Sequence, residues 1–122
     1  WINKQIVICG SSTGAMVLFS KMLAEDSRGK GNTSLIAGLN FIKNKAVVAP
    51  HWNEPNASAE WRKNFAINHS DKLIIGIDEY TALFWGEEEA KVIGLGEVKI
   101  IQNNNINIYK NKQILSSLTL IK

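Results

Sequence analysis

The feature that most constrains this chain is a glycine-flanked turn between two apolar segments. Residues 10–14 read Gly-Ser-Ser-Thr-Gly, a G-x-S-x-G pattern. Residues 5–9 form a β-branched run typical of a strand buried on both faces, and residues 14–24 are apolar almost all round, which favours a packed helix. On a sharp strand-to-helix turn, small flanking residues relieve crowding and leave the central hydroxyl exposed. The pattern therefore predicts Ser12 as a nucleophile and the Thr13 N–H as an oxyanion donor.

Further apolar runs extend this alternation of strand and helix along the chain. Residues 46–49 and 72–77 are predicted to be interior strands, and Trp61 and Phe65 lie at helical spacing in a helix that starts near residue 57. After residue 80, short runs separated by Gly and Asn predict a β-rich tail, with strands at 82–85, 91–93, 98–101 and 106–109. We expect residues 1–122 to be the C-terminal part of a single α/β domain.

Two histidines are candidates for the base that a serine nucleophile needs at neutral pH. His51 follows strand 46–49, at the carboxyl end of a strand, where sites collect in open α/β sheets. His69 lies at the end of the predicted helix that contains Trp61, and there it is more simply interpreted as a cation that interacts with the helix C-terminus. His51 is therefore the expected base.

An acid must hold the histidine in the correct tautomer, and Asp78 and Glu79 both end strand 72–77. Adjacent residues of a strand point in opposite directions, so only one of the two can face His51. The alternation of the strand leaves both candidates open.

Composition excludes several classes of protein. No apolar run approaches the roughly 18 residues of a membrane span, and a single cysteine, Cys9, excludes a disulfide scaffold and is expected to be buried. The 14 basic and 11 acidic residues give a net charge of +3 without a dense basic run, so no nucleic acid partner is expected. The chain opens on Trp1, and we expect it to be incomplete at the N-terminus, with exposed sheet edges that favour a homo-oligomer.

Four segments together resemble one peptidase family, that of dipeptidase E and cyanophycinase. Residues 8–16 (Ile-Cys-Gly-Ser-Ser-Thr-Gly-Ala-Met) resemble its nucleophile segment, and residues 49–52 (Ala-Pro-His-Trp) its histidine segment. Residues 76–82 (Gly-Ile-Asp-Glu-Tyr-Thr-Ala) are similar to the acid segment of the cyanophycinase branch, and residues 94–98 (Gly-Leu-Gly-Glu-Val) to a turn near the end of the family's chain. Order and spacing agree for all four segments.

The resemblance implies a Ser-His-Glu triad of Ser12, His51 and Glu79, and so favours Glu79 over Asp78. It also implies a three-layer αβα sandwich with a mostly parallel sheet, related to class I glutamine amidotransferases. Members are cytoplasmic or exported serine peptidases that cleave aspartyl or β-aspartyl peptides without a metal or other cofactor. A cytoplasmic, peptide-cleaving enzyme without a membrane partner is therefore expected.

Three departures from the family pattern qualify this expectation. Thr13 replaces the usual alanine after the nucleophile, which narrows the pocket. The arginines that commonly follow the family's histidine are absent, which leaves Arg62, or Asn53 beside the histidine, as candidates for contact with the substrate. The family's second oxyanion donor lies upstream of the matched segments, so this chain alone is expected to lose about 10²–10³ in rate.

Two other interpretations compete with a serine peptidase. A non-catalytic member could keep the fold and bind a ligand without turnover. A phosphate-binding turn at residues 10–15 is less favoured, because neither the G-x-G-x-x-G spacing nor a P-loop lysine is present. The distance between Ser12 Oγ and His51 discriminates between catalysis and binding.

Overall fold

The fold is organised around a four-stranded sheet, seen in a computed structural model that describes residues 7–24, 33–42, 45–55, 59–86 and 89–116. The first elements in these ranges are α1 (Thr13–Met16), β1 (Lys21–Leu23), β2 (Leu35–Ala37), β3 (Ala46–Ala49), α2 (Ala59–Asn68) and β4 (Leu73–Ile77). They are followed by β5 (Thr81–Trp85), β6 (Glu89–Gly94), β7 (Glu97–Gln102), β8 (Asn105–Lys110) and β9 (Ile114–Ser116). No helix in the described ranges has both the length and the apolar character to cross a membrane.

The strand order of the main sheet is β3-β4-β7-β8, and only β3 and β4 run parallel within it, with Ala49 opposite Gly76. Two smaller sheets, β1-β2 and β5-β6-β9, are antiparallel. The prediction of a mostly parallel sheet is therefore wrong for the described residues. Two contacts cause the difference: the tight Asn103-Asn104 turn joins β7 to β8 as antiparallel neighbours, since a parallel pair needs a long crossover, and β7 pairs antiparallel with β4, which is distant in sequence. The protein is a mixed α/β fold rich in strands.

β3 and β4 of the main sheet are buried on both faces by different layers, whereas its edge strand β8 is largely exposed. Val47 and Ile74 point to one face and pack in a cluster with Trp61 and Phe65 of α2. The alternate residues of β3 and β4 point to the other face, where they share a second cluster with Val92 and other residues of the β5-β6-β9 sheet. In the described residues the second face is thus covered by strands, where the three-layer αβα prediction places helices. The alternation of buried and exposed residues along β6 explains why this segment forms a covering sheet.

The segment around the nucleophile turn differs most from its prediction. Residues 7–9 are exposed and form no strand, so the prediction that Cys9 is buried is wrong. Residues 5–6 of the predicted strand lie outside the described residues. The predicted helix 14–24 is limited to α1, after which the chain turns and forms β1. An apolar run without clear periodicity fits a helix and a buried strand equally well, and here pairing with β2 buries Met22 and Leu23.

The other predicted elements are confirmed. Helix α2 buries Trp61 and Phe65, whose rings stack with centroids 5.2 Å apart, while its candidate capping residues Asn56 and Ser58 lie outside the described residues. β3, β4 and the four tail strands form at the predicted positions to within two residues. Strand β9 was not predicted. This framework brings the carboxyl ends of the parallel strands β3 and β4 side by side.

Candidate active site

Ser12 lies on a strained turn directly before α1. Its backbone has φ 52° and ψ −125°, a conformation that non-glycine residues rarely adopt and that costs about 1–3 kcal/mol. The Gly14 and Ala15 N–H groups donate to the carbonyl oxygens of Ser11 and Ser12, at 2.8 and 3.0 Å. A serine before a helix usually caps it with its hydroxyl, but the Ser12 side chain forms no such bond. The strained backbone and a hydroxyl that does not cap the helix are both typical of a nucleophile turn.

The Ser12 hydroxyl instead meets a histidine. His51 follows β3 and the buried Pro50, and its Nε2 lies 2.8 Å from Ser12 Oγ. The Trp52 N–H donates to the Ile77 carbonyl at 2.9 Å, and this bond fixes residues 50–55 after β3, the histidine loop, against the end of β4. The sequence favoured His51 over His69, and the structure brings His51 to Ser12.

His69 has a different environment at the end of α2. Its Nε2 lies 2.5 Å from the carbonyl oxygen of Thr33, and its ring meets Phe65 edge-on. The neighbouring Asn68 amide donates to the hydroxyl of the same threonine at 2.9 Å. His69 thus links the helix to the Thr33 segment and is not part of the Ser12 site.

The two acidic candidates at the end of β4 point in opposite directions, as the alternation of a strand requires. Glu79 Oε1 forms a hydrogen bond with His51 Nδ1, on the ring edge opposite Ser12. Asp78 is instead buried, and both of its carboxylate oxygens accept a hydrogen bond from Lys99 Nζ at 2.7 Å. Its Oδ2 also accepts the Glu97 N–H at 3.0 Å. Glu79 is therefore the acid that the geometry aligns with Ser12 and His51.

These three side chains open into a cavity of about 760 Å³. The His51 and Glu79 side chains keep 31% and 38% of their surface exposed, so a ligand can reach them. The other side chains lining the cavity are largely apolar and include Phe41, Ile42, Leu83, Phe84, Trp85 and Ile93. Its described lining contains no lysine or arginine, and no three His, Cys, Asp or Glu side chains of the described residues group as a metal site would require. The cavity therefore offers a serine-histidine-carboxylate site beside an apolar wall.

The sequence of residues 1–93 matches the family model of peptidase family S51. The chain belongs to this family. The resemblance to the family of dipeptidase E and cyanophycinase is thereby confirmed, and the region matched contains Ser12, His51 and Glu79, whereas residues 94–98 lie beyond it.

Two known proteins are similar to this S51 chain. A cyanophycinase of Geminocystis herdmanii (strain PCC 6308) is 35% identical over 102 residues, which are 80% of this chain and 37% of the relative. The crystal structure of a peptidase from an acI-B1 Actinobacterium superposes with a TM-score of 0.65 at 27% identity and covers 86% of this chain and 43% of that one. The chain thus spans less than half the length of either relative.

The three remaining residues singled out in the S51 sequence have distinct positions. Arg62 Nη1 donates to the Trp52 carbonyl at 2.9 Å, and Arg62 borders a second cavity beside α2 while the Ser12 cavity is lined by other residues. The Asn53 side chain accepts the backbone N–H of Glu79 at 2.7 Å. Thr13 begins α1, and no acceptor for its backbone N–H occurs among the described residues. Asn53 and Arg62 thus form bonds within the protein, whereas the Thr13 N–H has no such bond among the described residues.

Sequence reasoning missed two residues next to Glu79. Tyr80 lines the cavity with 82% of its surface exposed and has a φ of 54°. The Thr81 hydroxyl donates to the Glu79 carbonyl at 3.0 Å and accepts the Gly96 N–H at 2.9 Å. Both belong to the segment 76–82 that carries the family resemblance. Their spacing gives no indication of these contacts, because the contacts depend on the turn at Leu95 and Gly96, fifteen residues further along the chain.

The two glycines of the turn are expected to differ in their tolerance of substitution. A Cβ added at Gly10 would lie 2.3 Å from the Gly14 carbonyl oxygen, whereas one at Gly14 meets no described atom within 4 Å. Gly10→Ala must therefore shift the turn, and displacing Ser12 by about 1 Å is expected to slow its reaction with a fluorophosphonate roughly 100-fold. Gly14→Ala is the matched control and should react at nearly the wild-type rate. Equal rates for the two variants would contradict the crowding at Gly10.

Proposed function

We propose that this S51 protein is a serine-type amide hydrolase in which Ser12, His51 and Glu79 form the catalytic triad. The alignment of Ser12 Oγ, both ring nitrogens of His51 and Glu79 Oε1 carries the proposal, with Ser12 Oγ 2.8 Å from His51 Nε2. This distance supports catalysis over a binding protein without turnover, since the base is already within reach of the hydroxyl proton.

The chemistry follows from the geometry. His51 Nε2 takes the Ser12 proton while Oγ bonds to the substrate carbonyl carbon, and the carbonyl oxygen becomes an oxyanion that the Thr13 N–H receives. When the tetrahedral species collapses, the C–N bond breaks and His51 returns the proton to the leaving amine. Water then attacks the acyl-serine carbonyl and gives a proton to His51, and when this second tetrahedral species collapses the C–Oγ bond breaks, the acid leaves and His51 returns the proton to Ser12 Oγ. Glu79 holds the Nδ1–H of His51 and stabilises the imidazolium in both halves.

We propose a small peptide as the substrate, and the family resemblance favours an aspartyl or related bond. The described lining of the cavity has no cation to bind an acidic side chain. Arg62 is bonded to the Trp52 carbonyl, away from this lining. Groups outside the described lining would then have to bind the carboxylate of an aspartyl substrate.

The remaining expectations about the whole protein stay proposals. We propose that residues 1–122 form part of one domain, and the sharing of one main sheet by both core clusters of the described residues supports this. We further propose that the three-layer αβα arrangement belongs to the full-length protein, and that this chain alone is a poor catalyst because its described residues supply one oxyanion donor, at Thr13. A cytoplasmic location and a homo-oligomer remain predictions.

Covalent labelling of the full-length protein by a fluorophosphonate tests the proposal. The reagent forms a bond to a serine Oγ that a neighbouring base activates, so the wild type should be labelled and Ser12→Ala should not. Ser116→Ala is the matched control, because Ser116 is an exposed residue at the end of β9. An unlabelled wild type, or labelling that persists in Ser12→Ala, would favour the ligand-binding alternative.

A further inference from the structure

We propose that Asn53 is a positioning residue that holds Glu79 in line with His51, rather than a group that contacts substrate. The inference rests on the proposed function, because it concerns the acid of the same triad. It assigns to the histidine loop a second task beside supplying the base. The acid would then be oriented by a side chain two residues after the base it serves.

The first observation is the bond between the two loops. The Glu79 N–H donates to Asn53 Oδ1 at 2.7 Å, just beyond the last pair of the parallel β3–β4 ladder, Ala49 and Gly76. The β3–β4 pairing of the described residues ends before this N–H, and the side-chain amide oxygen of Asn53 accepts it in place of a backbone carbonyl. Asn53 thereby continues the connection between the two loops past the end of the sheet.

The second observation is that the Glu79 backbone is held on its other side as well. The Thr81 hydroxyl donates to the Glu79 carbonyl at 3.0 Å and is itself fixed by the Gly96 N–H at 2.9 Å. A Cβ on Gly94 would lie 2.2 Å from the Tyr80 carbonyl, so the turn after β6 packs directly on the acid loop. Side chains from two directions therefore bind both polar groups of the Glu79 peptide backbone.

The exposure and the position of the Asn53 bond indicate what it does for the reaction. A single exposed hydrogen bond contributes little to stability, so the fold does not depend on it. Removing it would free the Glu79 backbone on the side that faces His51, and a misplacement near 1 Å costs roughly 100-fold in rate. Asn53 is therefore expected to affect reactivity much more than stability.

The test compares fluorophosphonate labelling of the full-length wild type with Asn53→Ala, Asn53→Asp and the matched exposed-strand control Asn107→Ala. Asn53→Ala should lower the maximal labelling rate about 10–100-fold while the reagent concentration at half-maximal rate stays unchanged. Asn53→Asp keeps an acceptor oxygen and should restore most of the rate. Asn107→Ala, on β8, should label like the wild type.

A double-mutant cycle separates positioning from a general structural effect. If Asn53 acts through Glu79, Asn53→Ala should change the rate by less than about threefold in a Glu79→Gln background. The inference is overturned if Asn53→Ala labels at the wild-type rate, if it slows both backgrounds equally, or if Asn53→Asp is as slow as Asn53→Ala. Failure of the proposed function has a different signature, since then the wild type is unlabelled or Ser12→Ala is still labelled.

Discussion

Glu79→Gln is expected to slow the reaction of Ser12 by about 10⁴, while Asp78→Asn leaves it within a small factor of the wild type. Glutamine is nearly isosteric with glutamate, but its amide cannot stabilise the imidazolium and no longer selects the tautomer with its proton on Nδ1. The Asp78 carboxylate is directed to Lys99 instead, so its neutralisation does not reach the histidine.

This pair forms a controlled comparison, because the two residues are adjacent and each substitution removes one negative charge. Labelling rates of the two variants are measured beside their thermal unfolding. Asp78→Asn should lower the unfolding temperature, because Asp78 is buried beside Lys99, whereas Glu79→Gln should affect the rate. A loss of rate in Asp78→Asn equal to that in Glu79→Gln would contradict the assignment of Glu79 as the acid.

The position of the site was predictable from sequence because it depends on strongly apolar strands. β3 consists of Ala and Val, and β4 of Leu, Ile and one Gly, and both are buried throughout or nearly so. A polar residue one or two positions after such a strand lies at the sheet edge. His51 and Glu79 follow from this rule, together with a resemblance that chose between two adjacent acids. The turn around Ser12 followed from its glycines.

The surroundings of the site were not predictable in the same way. Residues 17–23 carry no periodicity that separates helix from strand, and pairing with residues 35–37 decides the outcome. The contacts of Asn53, Arg62 and Thr81 depend on loops that meet only in the folded chain. The antiparallel tail follows from its short turns, but the main sheet becomes mixed because β7 pairs with β4, a contact between residues more than twenty positions apart.

Lys99→Met is expected to cause the largest loss of stability, about 3–5 kcal/mol, out of a total that is typically about 5–15 kcal/mol. The side chains of Asp78 and Lys99 are 6% and 15% exposed, and Lys99 Nζ lies 2.7 Å from both carboxylate oxygens. Methionine fills similar volume but leaves the Asp78 charge buried, with the Glu97 N–H, at 3.0 Å, as its remaining hydrogen-bond donor among the described residues. Urea unfolding of the full-length protein measures the loss.

Two further variants show whether the buried charge is the cause. Lys110→Met is the matched control, because Lys110 is 70% exposed at 3.4 Å from Glu97 and such surface pairs contribute about 0–1 kcal/mol. Adding Asp78→Asn to Lys99→Met removes the unpaired charge and keeps an acceptor for the Glu97 N–H, so it should recover much of the loss. Equal losses in Lys99→Met and Lys110→Met would contradict this explanation.

The pH dependence of stability provides an independent measure of the same lysine. The hydrogen bond from Lys99 lowers the pKa of Glu97, with a smaller contribution from Lys110. Folded Glu97 therefore binds a proton less readily than unfolded Glu97, so its contribution to stability is complete above the ordinary glutamate range and is lost as the pH falls through the lowered pKa. Lys99→Met removes the main cause of this shift, and its stability should fall less steeply in acid than that of the wild type. If the stability of Lys99→Met falls in acid as steeply as that of the wild type, Lys99 does not hold Glu97 in its charged form. The ion pairs and hydrogen bonds that join β4 to β7 would then depend on other contacts.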